Sequence, residues 1–177
     1  MLSLRPFQKE DTRFLLSVYH EAFPPDERME DSLMLSLSEE GSLLHLIIED
    51  GGAPLGFFTL SVGPCAYLYY FAVEASQRGR GIGGGALSLL FAHFAPLPVA
   101  VDLERLCDEA PNARQRRHRR AFYLRSGFQE RGIFVSYLGM ELEILTHGTV
   151  SLDGIRRSLL ASRIPDLDPI FEILPIK

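Results

Sequence analysis

Five of the seven residues from Gly79 to Gly85 are glycine, and the run follows Gln77-Arg78. In a plain helix each glycine costs about 0.5–1 kcal/mol relative to alanine, so a purely structural segment would not collect them. They suit a place where main-chain amides must come close to another group and where some residues need positive φ. Both needs meet at a helix start, where the first N–H groups lack partners and the positive end of the helix dipole gathers. The segment therefore predicts a turn that cradles a phosphate or pyrophosphate on bare amides, with Arg78 and Arg80 adding charge from the flanks. Before it, Ala66-Tyr67-Leu68-Tyr69-Tyr70-Phe71-Ala72-Val73 reads as a central strand covered on both faces. After it, the stretch from Ala86 to Phe94 has helical length, and Pro96 and Pro98 end it before a strand from Val99 to Leu103. A strand-helix-strand crossover of this kind places two parallel strands side by side.

The remaining elements follow from periodicity and breakers. Leu2 and Leu4 predict a short strand that stops at Pro6, and Asp11 or Thr12 starts a helix running to Phe23-Pro24-Pro25. A second helix spans about Met29 to Glu39, stopped by Gly41. Leu43 to Glu49 and Leu55 to Val62 form a hairpin around Gly51-Gly52. Residues 112–126 form a basic helix ended by Gly127, and strands cover Ile133–Tyr137 and Glu141–Leu145, joined near Gly139. A last short helix lies around Ile155–Leu160, and the apolar tail from Ile170 to Ile176 is expected to pack on its own domain or on a second copy.

A chain of 177 residues with 46% hydrophobic and 23% charged residues has the balance of one folded domain, not of a disordered segment. A net charge of −5 disfavours a general polyanion binder, so nucleic acid is not expected as a partner. Arg114, Arg116, Arg117, Arg119 and Arg120 have no interleaved aromatics and read as a solvated helix face, or as a contact for a coenzyme phosphate or an acidic acceptor. Cys65 and Cys107 lack metal-ligand spacing, and the five histidines are scattered, so no metal is expected. No apolar run reaches the length of a membrane span and the start lacks a signal-peptide pattern, which predicts a cytoplasmic protein.

Gly79, Gly81 and Gly84 also satisfy G-x-G-x-x-G, with Asp102 about twenty residues on, as a nicotinamide-dinucleotide fold requires. Against that reading, five residues separate Val73 from Gly79 and no further βαβ units follow. Phe71-Ala72-Val73, the spacer, Gln77-Arg78-Gly79-Arg80-Gly81-Ile82-Gly83, and then Phe122-Tyr123-Leu124-Arg125-Ser126-Gly127-Phe128 instead resemble the GNAT superfamily of N-acetyltransferases. Arg78, Gly81 and Gly83 match its Q/R-x-x-G-x-G/A loop, and the later segment its F-Y-x-x-x-G-F helix end. Phe23-Pro24-Pro25-Asp26-Glu27-Arg28 resembles the loop between the first two helices of bacterial members. The resemblance spans about residues 2–146 and leaves 147–177 as a C-terminal extension of a single domain. It implies an α/β (α+β) fold with a mixed, mostly antiparallel sheet, one splayed parallel pair and helices on both faces.

The resemblance further implies acetyl-CoA as the acyl donor and a small amine or a peptide or protein amine as acceptor, in a monomer or homodimer. The backbone of Phe71, Ala72 and Val73 would meet the pantetheine arm, an N–H near Val73 would polarise the thioester, and Arg78, Gly79, Arg80, Gly81, Ile82, Gly83 and Gly84 would hold the pyrophosphate. Tyr123 is the implied proton donor to the departing sulfur. Glu104 is the first candidate for the base, followed by Asp102, Glu74 and Glu27. Asn112 lies eleven residues before Tyr123, farther than the family's asparagine, which implies an altered acceptor entrance. A catalytically silent acyl-CoA sensor and, more remotely, an NAD(P)-dependent oxidoreductase are the competing readings.

Overall fold

A computed structural model describes residues 1–137, 140–167 and 172–174. The chain runs β1 (Leu2–Pro6), α1 (Thr12–Ala22), α2 (Asp31–Glu39), β2 (Leu44–Asp50), β3 (Ala53–Val62), β4 (Ala66–Val73), α3 (Ile82–Phe94), β5 (Val99–Glu104), α4 (Ala113–Arg125), β6 (Gln129–Tyr137), β7 (Met140–His147), α5 (Leu152–Leu160) and β8 (Glu172–Leu174). From β1 to α5 these match the elements predicted from the sequence, with β6 starting earlier than Ile133, and β8 is a strand that the sequence reading did not assign. The predicted junction at Gly139 lies outside the described residues.

The strands form one sheet in the order β1-β2-β3-β4-β5-β7-β6-β8. Every neighbouring pair is antiparallel except β4 and β5, which are parallel. That arrangement excludes the dinucleotide fold, which needs a run of parallel βαβ units; the G-x-G-x-x-G match is a coincidence of the glycine-rich turn. The tail pairs within its own chain, as Glu172–Leu174 align with Phe134–Ser136 of β6.

Side-chain alternation gives the sheet two faces. Leu46, Ile48, Phe58, Leu60, Leu68 and Val101 point to α3 and α4, together with Ala86, Leu87, Leu90 and Tyr123. Ile47, Phe57 and Ala72 meet Leu15, Val18, Tyr19, Met34 and Leu37 of α1 and α2 on the opposite face. On that same face Tyr67, Ala100, Leu142 and Ile144 pack under Ile155 and Leu159 of α5. The extension is hydrogen-bonded to the sheet as well: the Cys65 N–H donates to Ser158 Oγ at 2.9 Å, and Ser61 Oγ donates to the Ser158 carbonyl. At the other end Arg5 donates twice to Asp11, at 2.6 and 2.7 Å, and once to Glu49, joining β1, β2 and the approach to α1. This guanidinium holds the Asp11 carboxyl below its ordinary range.

Two features of β4 shape the site. Thr59 of β3 aligns with Tyr70 but Leu60 with Leu68, so Tyr69 is an extra, bulged residue. The bulge breaks the alternation and brings Tyr69 and Tyr70 to the same face. The parallel ladder to β5 covers only Ala66–Leu68 against Val99–Val101, so beyond Leu68 the two strands diverge. Among the described residues no helix is long and apolar enough to cross a membrane.

One buried group makes stability depend on pH. His45 on β2 is 1% exposed; its Nδ1 lies 2.8 Å from Thr59 Oγ1, its ring meets Phe7 edge-on, and its Nε2 has no partner. Burial pushes its pKa down to about 4, whereas the unfolded chain titrates near about 6.5. Between those values the unfolded state binds a proton that the native state refuses, so this contribution is complete above about pH 6.5 and is lost as pH falls toward about 4. Denaturant midpoints are expected to fall steadily over that window, and His45→Gln to flatten the slope.

Candidate active site

The divergence of β4 from β5 opens a cleft of about 510 Å³. Its walls are Tyr69–Val73 on one side and Val101–Glu104 on the other, with Phe122 and Tyr123 above and Ala22, Phe23 and Glu27 at the mouth. The outer part of β4 pairs with β3 through Gly56–Thr59 but has no ladder to β5, so one of its edges is turned toward the cleft. Phe71, Ala72 and Val73 occupy that edge.

The glycine turn stands at the outer end of the same strand. Gly79 and Gly81 have φ of +77° and +78°, a conformation that L side chains rarely adopt, and Gly81 is the residue before α3. A Cβ built on either would meet nothing within 4 Å, so the space over the turn is open. The Gly85 N–H closes on the Gly81 carbonyl at 3.1 Å, which leaves the amides of Ile82, Gly83 and Gly84 ahead of the helical ladder. Gly83 serves packing, since a Cβ there would sit 3.2 Å from Phe122 Cζ. Phe71 in turn stacks on Phe122 with ring centres 6.2 Å apart, so the strand, the turn and α4 meet at one point. Arg78 donates from Nε to the Val73 carbonyl at 2.9 Å, and Arg80 from Nη1 to Gln77 Oε1, which pins both arginines beside the turn. The cradle thus has the open space, the bare amides and the positive charge that suit a diphosphate.

Tyr123 lies deeper, 7% exposed, with its ring edge-on to Phe122 and Phe128. Burial is the main cause that raises its phenol above the ordinary value, with Asp102 adding to the shift and Arg119 opposing it. The group remains protonated across the physiological range and can act as a donor.

The carboxylates are placed very unequally. Glu104, at the end of β5, accepts from Asn112 Nδ2 on both oxygens at 3.1 Å and pairs with Arg116 at 2.8 Å and Arg119 at 3.5 Å. Asn112 is the residue before α4, yet its side chain caps no amide of that helix and goes to Glu104 instead. Asp102 accepts from the Tyr67 hydroxyl at 2.7 Å within the splay. Glu74 is not on the cleft wall, and its N–H is bonded to Leu55 beyond β4. Glu27 lies at the mouth, part-buried. Its carboxyl is raised above the ordinary range mainly by burial, with Arg119 lowering it and the Glu104 charge raising it.

Sequence reasoning did not single out Tyr70, Arg119 or the Asn112–Arg116–Glu104 cluster, because each depends on which elements meet in space. The bulge left no local signal, because a strand that is apolar throughout and covered on both faces has no alternation for Tyr69-Tyr70 to break. The arginines of α4 largely answer the protein's own carboxylates: Arg117 pairs with Asp108, and Arg120 with Glu143 and Glu130. Among the described residues no group of three or more histidine, cysteine or carboxylate side chains could hold a metal ion.

Comparison with known proteins agrees with this geometry. The model of the acetyltransferase (GNAT) family matches residues 7–128, more than half of the chain. No curated protein matches. A solved GNAT-family structure from Bacteroides thetaiotaomicron is 25% identical, with a TM-score of 0.73 over 89% of this chain and 95% of its own. An acetyltransferase from Thermus thermophilus is 20% identical, with a TM-score of 0.60 over 82% of this chain and 96% of its own. An aminoglycoside 6'-N-acetyltransferase complexed with coenzyme A shares the fold at 13% identity, with a TM-score of 0.62 over 81% of this chain and 94% of its own. With the glycine turn, the F-Y-x-x-x-G-F helix end and the splayed strands all in place, the chain belongs to the acetyltransferase (GNAT) family.

Proposed function

We propose that the protein is an N-acetyltransferase that moves the acetyl group of acetyl-CoA directly onto a primary amine. The observation that carries the reading is a cleft whose lining brings together an unladdered strand edge, a buried phenol, a part-buried carboxylate and Arg78, the residue that leads into the open glycine turn. The amides from Gly79 to Gly84 would hold the diphosphate, and the free edge of Phe71–Val73 would align the pantetheine arm, with an N–H near Val73 polarising the thioester carbonyl. Acetyl-CoA supplies an activated acyl group, and the new carbon–nitrogen bond forms as the carbon–sulfur bond breaks.

An alkyl ammonium with a pKa near about 10 is only about a thousandth neutral at pH 7, which adds roughly 4 kcal/mol to the barrier unless a base takes the proton. Glu104 was the first candidate by resemblance, but Asn112, Arg116 and Arg119 already engage both of its oxygens. Glu104 is thereby held within the protein's own network of hydrogen bonds and ion pairs. Glu27 suits the task better, because burial raises its proton affinity and it stands at the acceptor end of the cleft. In the reading we favour, Glu27 takes the proton from the ammonium, directly or through water, and Glu104 organises the two arginines. Tyr123 donates to the sulfur as charge develops there and is reprotonated from solvent. The ammonium loses two protons on becoming an amide and the thiol regains one, so one proton leaves per turnover.

Coenzyme A at one hundred times its dissociation constant adds about 2.7 kcal/mol and should raise the thermal midpoint by roughly 5–10 °C; no shift with any CoA ester would end the proposal. Tyr123→Phe should lower kcat at least about tenfold with the CoA dissociation constant held within a factor of about two; unaltered turnover would remove the phenol from the reaction. Glu27→Gln should lower kcat/KM by about a hundredfold or more. In the unaltered enzyme the acid limb of the kcat/KM profile should lie above the ordinary carboxylate range, because protonation of a raised Glu27 switches the base off. A protein that binds CoA but releases no thiol with any amine in a broad panel would be the silent sensor instead.

A further inference from the structure

Cleft-lining groups outside the family motifs include the two adjacent tyrosines of the β4 bulge, and their hydroxyls leave the strand for different destinations. Tyr69 reaches α5, donating to the Leu159 carbonyl at 2.6 Å. Tyr70 reaches the segment between α1 and α2, where the Met29 N–H donates to its hydroxyl oxygen at 3.1 Å and the hydroxyl donates to the Glu27 carbonyl at 3.3 Å. Tyr19 of α1 holds the same segment from the other side, donating to the Met29 carbonyl at 3.2 Å. The two rings meet edge-on, with centres 4.9 Å apart, and Phe23 stacks edge-on to Tyr70 at 5.0 Å.

This segment has little to fix it from within. After Pro24-Pro25 it makes one short turn, with bonds from Glu27 N to Pro24 O at 3.0 Å and from Arg28 N to Pro25 O at 3.4 Å. The ladder of α2 begins only with Met34 N to Glu30 O, so it cannot serve the Met29 amide. Two phenols thus supply what the local backbone lacks, and both stand on rigid elements. Phenylalanine at position 70 would pack against Tyr19 and Phe23 as well as tyrosine does. The hydroxyl adds the two bonds to the stretch that carries Glu27 and a contact with the Tyr19 phenol, the second member of the clamp.

We propose that Tyr70 is a positioning residue: its hydroxyl, assisted by that of Tyr19, clamps residues 27–29 so that the Glu27 carboxylate is presented to the acceptor amine. The inference rests on the reading of Glu27 as the base. Glu27 faces Arg119 and Arg116 from α4, Glu104 from β5 and Asp26 from its own turn. Its position among these charges and its burial both depend on where the clamp holds the segment.

The test compares Tyr70→Phe, Tyr19→Phe, Glu27→Gln and the double variant Tyr70→Phe/Glu27→Gln in thiol-release kinetics over pH, with CoA affinity measured by calorimetry. Tyr70→Phe should lower kcat about tenfold or more, since small misplacement of a reacting group is costly. It should also move the acid limb of kcat/KM to lower pH, because a loosened Glu27 regains water, while CoA affinity stays within a factor of about two. Tyr19→Phe should show the same signature in weaker form, which guards against a folding defect peculiar to position 70. In the double variant the Tyr70 change should add nothing to the loss caused by Glu27→Gln. If Glu27→Gln is crippled but Tyr70→Phe keeps full turnover and an unmoved acid limb, or if the two losses multiply, the clamp is overturned and the base assignment stands. If Glu27→Gln itself keeps turnover and acid limb, the base assignment fails and the clamp fails with it.

Discussion

The parallel ladder between β4 and β5 stops after Leu68 and Val101, and the rest of the site depends on that interruption. A strand edge in the middle of a sheet normally satisfies its N–H and C=O groups with the next strand. Here the bulged Tyr69 turns β4 away, and the edge from Tyr69 to Val73 is left facing a cleft. The cost of interrupting the ladder is contained because β4 still pairs with β3 as far as Val73, and β5 with β7 as far as Glu104. The gap is therefore bounded by two well-paired strands.

The two sequence motifs act on this gap from the same side of the sheet. The glycine turn caps its outer end, and Phe122-Tyr123 roof it, with Gly83 allowing α3 to approach Phe122 closely. Phe71, stacked between Phe58 and Phe122, joins strand and helix. A bulky residue at position 83 would push the helices apart, so this glycine serves packing while Gly79 and Gly81 serve backbone conformation. One run of glycines thus meets two separate physical requirements.

Electrostatics at the acceptor end follow from the basic start of α4. Arginines near a helix N-terminus are disfavoured by the dipole, and the protein offsets Arg116 and Arg117 with carboxylates from outside the helix, Glu104 and Asp108. Glu104 is thereby committed to Arg116, Arg119 and Asn112. Glu27 keeps a weaker share of the Arg119 field and a repulsion from Glu104. Two glutamates that line one cleft thus have different partners. The extension contributes through the Leu159 carbonyl of α5 and the hydroxyl of Ser162 just beyond it, which anchor Tyr69 of the cleft wall.

Much of this was legible in the residues. The glycine turn, the order of the elements from β1 to α5 and the parallel pair all rest on local signals: glycine density, prolines as breakers, and alternating or helical periodicity. Such signals survive without tertiary structure because they reflect backbone geometry within one or two turns of chain. The G-x-G-x-x-G coincidence shows their limit, since the spacing of three glycines does not say whether the neighbouring strands are parallel. What only the folded chain decided was which charges and hydroxyls meet. Asn112 and Arg116 reach Glu104 from a different element, and Tyr70 grips residues 27–29 across 41 positions of sequence to Met29. A carboxylate's proton affinity and a loop's position are set by neighbours brought in from elsewhere, and no local pattern in the sequence encodes those.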